Sequence, residues 1–109
     1  MQRRLAAILS ADAAGYSRLM SEDELATVRS ISTCRAVVCE LIASHHGRTV
    51  DTPGDNILAE FASALDAVEA ACAMQAGLQE CNASLPANRR MAFRIGVNLG
   101  DVIVDEGHV

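Results

Sequence analysis

Between Arg48 and Phe61 the sequence reads as a β-hairpin, and this hairpin is caught between two long stretches of helical spacing. Arg48 to Asp51 is a short strand-like run, and Thr52-Pro53-Gly54-Asp55-Asn56 is a turn by composition. Ile57 to Phe61 then alternates, with Ile57, Ala59 and Phe61 on one face and Leu58 and Glu60 on the other. So short a connection joins only antiparallel neighbours, and Asp55 sits near its tip. Upstream, Leu25, Val28, Ile31, Cys34, Val38, Leu41 and Ile42 recur at helical spacing. Ser21 with Glu24 reads as a capping box at the start of that helix, and Gly47 as the C′ residue at its end. Downstream, Ser63 is a candidate N-cap with Asp66 at N3. The helix that follows carries Leu65, Val68, Cys72, Gln75 and Leu78, and fades into the polar stretch Asn82 to Asn88 around Pro86.

Strand-like segments flank this helix–hairpin–helix unit. Leu5 to Ser17 begins as an apolar run of strand length and ends in Asp12, small residues and Gly15. Met91 to Asn98 is a second such run, and Gly100-Asp101 opens a further short strand, Val102 to Val104. The order strand, helix, strand, strand, helix, strand, strand predicts an α+β fold. Its sheet is the antiparallel, ferredoxin-like split βαβ arrangement with helices on one face, in a single domain over residues 1–109. In that topology the first strand lies beside the third, so Asp12, leaving one, is expected to meet Asp55, entering the other. Asp105-Glu106-Gly107-His108-Val109 reads as a turn where another element would be expected, which makes the domain C-terminally truncated.

Composition limits the partners. The formal charge is −5 and no Lys/Arg run is interleaved with aromatics, so no nucleic-acid partner is expected. No apolar run reaches membrane-span length. Half the residues are hydrophobic but only 3% are aromatic, so Ala, Val, Leu and Ile must fill the core. Cys34, Cys39, Cys72 and Cys81 show no Cys-x-x-Cys spacing, and no secretory signal precedes them. Reduced thiols and a cytoplasmic location are the expectation. His45 and His46 point in different directions on a helix and suit its C-terminal dipole better than a metal. The Gly-x-x-x-x-Gly-Lys-Ser/Thr and Gly-x-Gly-x-x-Gly phosphate motifs are absent.

An acidic chain still binds nucleotide when a metal carries the positive charge. Two aspartates at one sheet edge can hold two Mg²⁺ or Mn²⁺ ions about 3.5–4 Å apart, the spacing of two-metal phosphoryl transfer. Each also has an ordinary reading: Asp12 as a helix cap, Asp55 as part of a Pro-Gly-Asp turn.

Three segments carry a resemblance: Ile8-Leu9-Ser10-Ala11-Asp12-Ala13-Ala14-Gly15-Tyr16-Ser17, Asp51-Thr52-Pro53-Gly54-Asp55, and Phe93-Arg94-Ile95-Gly96-Val97-Asn98-Leu99-Gly100-Asp101-Val102. In this order and spacing the chain resembles the N-terminal portion of a class III adenylate/guanylate cyclase catalytic domain, from Arg3 to Asp105. The resemblance implies that Asp12 and Asp55 bind two Mg²⁺ or Mn²⁺ with help from the Ala13 carbonyl. It also implies that Ala14, Gly15, Tyr16 and Ser17 offer donors to the triphosphate of ATP or GTP. The implied reaction joins the ribose 3′-hydroxyl to the α-phosphate and releases pyrophosphate, in an active site formed between two subunits of a homodimer.

Two departures stand beside it. Asp51 occupies the base-reading position, where the family carries Lys for adenine or Glu for guanine, and leaves the base open. The family's following helix, with an Asn for the ribose and an Arg for the transition state, has no counterpart up to Val109. Arg94, mid-strand, and Arg89-Arg90, read as a solvated pair, do not replace it by motif. The 109 residues alone are therefore expected to be inactive. A catalytically silent nucleotide-binding or dimerisation module is the alternative. An unrelated ferredoxin-like assembly fold is the third reading.

Overall fold

A computed structural model describes residues 2–50 and 55–104 of the chain. The elements are β1 (Gln2–Ala13), α1 (Tyr16–Glu22), α2 (Glu24–Ser44), β2 (Arg48–Val50), β3 (Ile57–Phe61), α3 (Ala64–Ala83) and β4 (Phe93–Val104), with a 3₁₀ turn at Ala87–Arg89. The sheet order is β2-β3-β1-β4. All three strand pairs are antiparallel. This is the expected split βαβ sheet, with β1 central and β3 beside it. No helix among the described residues is long and apolar enough to cross a membrane.

Alternation along β1 sorts the two faces of the sheet. Ala7, Leu9, Ala11 and Ala13 are buried toward the helices, while Ser10 and Asp12 lie on the opposite, open face. Leu9, Ala59 and Phe61 from the sheet pack against Cys34, Val38 and Ile42 of α2 and Ala67, Ala70, Met74 and Leu78 of α3. Each of the larger side chains contributes about 1.5–3 kcal/mol by leaving water.

The helices present different faces from those the largest residues mark. Leu25, Val28, Leu65 and Val68 are exposed, and the buried stripe of α3 is Ala67, Ala70, Met74 and Leu78. Small residues decide this. The alanines bring α3 close to the sheet, and Gly77 brings it against Leu41 and Val37 of α2.

Four local expectations are corrected. A helix, α1, follows Gly15, whose left-handed φ of 76° turns the chain out of β1. Ser21 therefore lies in α1 and donates to the Arg18 carbonyl; the N-cap of α2 is Asp23, which accepts from the Ala26 N–H at 3.1 Å. β4 runs unbroken through Gly100-Asp101, because each residue from Phe93 to Val104 is paired with β1. At the end of α2 the left-handed residue is His46, at φ 67°. Its N–H donates to the Ala43 carbonyl and that of Gly47 to the Ile42 carbonyl, a Schellman closure. Ser63 caps α3 as expected, accepting from the Asp66 N–H.

Gly47 is required for a reason other than φ. A Cβ there would overlap the Phe61 ring and the Ile42 side chain. Gly47→Ala is expected to lower stability by about 1–3 kcal/mol, read from the urea midpoint. In a Phe61→Ala background that cost should shrink, because the ring's share of the overlap is gone and only the Ile42 contact remains.

Candidate active site

The open face of β1 ends at Asp12, and the hairpin delivers Asp55 to the same corner. The Ala13 N–H donates to Asp55 Oδ2 at 3.0 Å, which fixes one carboxylate a single residue from the other. The β1–β3 register, with Ala11 opposite Ile57, produces this meeting. Asp12, Ala13, Gly15, Tyr16, Ser17, Arg18, Asp55, Asn56 and Arg94 line a hollow of about 360 Å³ at this corner. A larger hollow of about 570 Å³ adjoins it on the open sheet face, bounded by Ser10, Leu58, Ile95 and Gly96 as well as Asp12, Asn56 and Arg94.

The other site residues divide. Gly15, exposed, makes the turn; the Tyr16 ring packs against the small cluster of Ala13, Leu19 and Met91 that seats α1. Ser17 is exposed at the mouth. The amides of Tyr16, Ser17 and Arg18 open a helix and have no intrahelical acceptor. The Ala14 N–H is different: it donates to the Ala92 carbonyl at 2.7 Å and is already engaged within the fold. Asp51 lies outside the described residues.

Sequence reasoning passed over two arginines. Arg94 stands directly across from Asp12 in the β1–β4 ladder. Its Nε donates to Asp12 Oδ1 at 2.8 Å and its Nη2 to Asp12 Oδ2 at 3.1 Å, a two-pronged bridge. The Asp12↔Arg94 register was the signal, and it needs the strand ends to within one residue. Arg89, read as solvated, is largely covered. It donates to Thr27 Oγ1 and to the carbonyls of Leu19 and Asp23, tying the end of α1 to the start of α2. Arg90 is exposed, as expected. His45 Nδ1 meets the Leu41 carbonyl at the C-terminus of α2, consistent with a helix-end role.

The donor set suits a hard divalent cation. Among the described residues no group of three or more His, Cys, Asp and Glu converges. Two carboxylates alone leave coordination positions for a carbonyl, water and phosphate, as Mg²⁺ prefers.

No family model matches the sequence. Putative adenylate cyclase 3 of Rhizobium meliloti is 46% identical over 107 residues, which is 97% of this chain and 18% of that protein. The crystal structure of an adenylate/guanylate cyclase/hydrolase from Silicibacter pomeroyi matches with a TM-score of 0.78 and 40% identity, over 98% of this chain and 62% of that one. A guanylyl cyclase structure matches with a TM-score of 0.80 and 26% identity, over 92% and 56%. The chain thus spans less than two thirds of each relative.

Proposed function

We propose that this chain, similar in sequence and fold to the N-terminal portion of class III adenylate/guanylate cyclase catalytic domains, supplies the metal and phosphate side of a nucleotidyl cyclase site. The reaction would join the ribose 3′-hydroxyl of ATP or GTP to its own α-phosphate and release pyrophosphate. The observation that carries this reading is the placement of Asp55 on the Ala13 N–H, beside Asp12.

In this reading Asp12 and Asp55, with the Ala13 carbonyl, hold two Mg²⁺ or Mn²⁺ ions. When bound, such ions acidify the attacking hydroxyl and offset charge on the phosphates. The Ala13 N–H presets Asp55 for this role, whereas Asp12 must open its two-pronged bridge to Arg94 before both of its oxygens can meet a metal. The amides of Tyr16, Ser17 and Arg18 and the Ser17 hydroxyl face the triphosphate. The family's ribose and transition-state residues would come from a second subunit. The 109 residues by themselves bring no such pair, so the chain alone is inactive in this proposal.

Arg94 competes for Asp12. Arg94→Gln removes the bridge and a nearby positive charge. It is expected to tighten binding of Mn²⁺ alone by roughly three- to ten-fold, followed through the EPR signal of the free ion. An unchanged affinity would mean that the bridge opens without cost.

The test of function is an assay with Mn²⁺ and ATP or GTP on the chain alone and on a mixture. The second component is a complete cyclase domain whose own metal aspartates are replaced. Cyclic nucleotide should form only in the mixture. Nucleotide binding with no product in either would favour the silent module, and product from the chain alone would refute the assignment of the missing residues.

A further inference from the structure

The chain holds four free cysteines, and two of them touch. Cys34 Sγ on α2 and Cys81 Sγ on α3 are 2.9 Å apart, although 47 residues separate them in sequence. Cys34 is fully covered. Cys81 is half-buried and reaches solvent through a hollow of about 160 Å³ that it lines with Arg29, Ser30, Thr33, Ser84 and Leu85. A partly open thiol that faces a solvent-reaching hollow and is backed by a second sulfur is the arrangement of an oxidisable pair.

We propose that Cys34 and Cys81 form a redox pair that closes to a disulfide between α2 and α3 when the chain meets a hydroperoxide. The sulfurs already lie within van der Waals contact, and a short closing motion brings them to the disulfide length of about 2.03–2.05 Å. Cys81 is the sulfur that meets the oxidant. Burial, with Cys81 adjacent, pushes the Cys34 thiol up from 9.0 to about 12, so Cys34 stays protonated at neutral pH.

The chemistry balances in two steps. The Cys81 thiolate attacks the peroxide oxygen, the O–O bond breaks, and water leaves after taking up a proton, with Cys81 as the sulfenic acid. The Cys34 sulfur then attacks the Cys81 sulfur; the S–O bond breaks, and the hydroxyl leaves as water with the Cys34 proton. Two thiols lose two electrons in total, and one hydrogen peroxide is reduced to two waters. The new bond ties together the two helices that cover the sheet. It also restricts the unfolded chain, so the oxidised form should melt at a higher temperature.

The experiment treats the full 109-residue chain with hydrogen peroxide under native conditions, then alkylates the remaining thiols. The expected product has lost about 2 Da before alkylation, as two hydrogens. It takes up label only at Cys39 and Cys72, and releases a linked Cys34–Cys81 peptide pair on non-reducing digestion. A thiol reductant should restore all four thiols. The Cys39→Ser/Cys72→Ser variant should close the same bond. Cys81→Ser should lose it, and so should Cys34→Ser if that buried replacement folds. Oxygen adducts at Cys39 or Cys72 with no linked pair, or cross-links between chains only, would overturn the proposal.

Discussion

Phe61→Ala is expected to remove roughly a third or more of the chain's stability. Phe61 is one of two phenylalanines, and its ring is fully covered where β3 ends. It sits against Ile42 and over Gly47, the two residues that close α2, and pairs across the sheet with Ala7 of β1. The neighbours that would have to fill its space are held by backbone: a Schellman turn on one side and a strand ladder on the other. Such a site collapses poorly, which puts the loss at the upper end of the usual ~3–5 kcal/mol for a buried Phe→Ala change. A domain of this size has about 5–15 kcal/mol in total. Urea unfolding followed by circular dichroism measures the effect. A loss below about 1 kcal/mol would be typical of a surface position and would contradict the placement of Phe61 as the bolt between helix and sheet.

The second large effect falls on binding, with the fold spared. Asp12→Asn and Asp55→Asn should each weaken Mn²⁺-dependent ATP or GTP binding by at least about 100-fold, beyond the ~10–100-fold typical of losing a residue that only supports a ligand. Both replacements keep shape. In Asp55→Asn the side-chain amide oxygen would still accept from the Ala13 N–H. The Asp12 side chain is partly open to solvent, so its bridge to Arg94 contributes little to stability. Urea midpoints should therefore shift by no more than about 1 kcal/mol. Calorimetry with Mn²⁺ and nucleotide separates the two quantities. Unchanged affinity in both variants would remove these carboxylates from the metal site.

The split βαβ sheet and the corner where Asp12 and Asp55 meet were legible because both follow from alternation, a turn signal and the neighbours in that sheet. Which helix faces are buried was not. Leu25, Val28, Leu65 and Val68 have the side chains of a core and stand exposed, because Ala67, Ala70 and Gly77 set how closely the helices approach. α1 was missed because seven residues carry too little periodicity to declare a helix. The C′ position at His46 was missed by one residue, since Gly47 answers to the Phe61 ring and not to a left-handed φ. Arg94 was out of reach for a similar reason: its bridge depends on a one-to-one register that periodicity does not specify to the residue.

The proposed function rests on one corner of the sheet holding a divalent ion together with a nucleotide. Paramagnetic broadening tests this without relying on turnover. Substoichiometric Mn²⁺ is added with ATP, and separately with GTP, to the ¹⁵N-labelled chain, and amide signals are followed. Asp12 to Ser17, Asp55 and Asn56 should broaden first, while the distant His45 and His46 at the C-terminus of α2 stay sharp. Broadening centred on His45 and His46, or none above that of free Mn²⁺ in solution, would contradict the metal site.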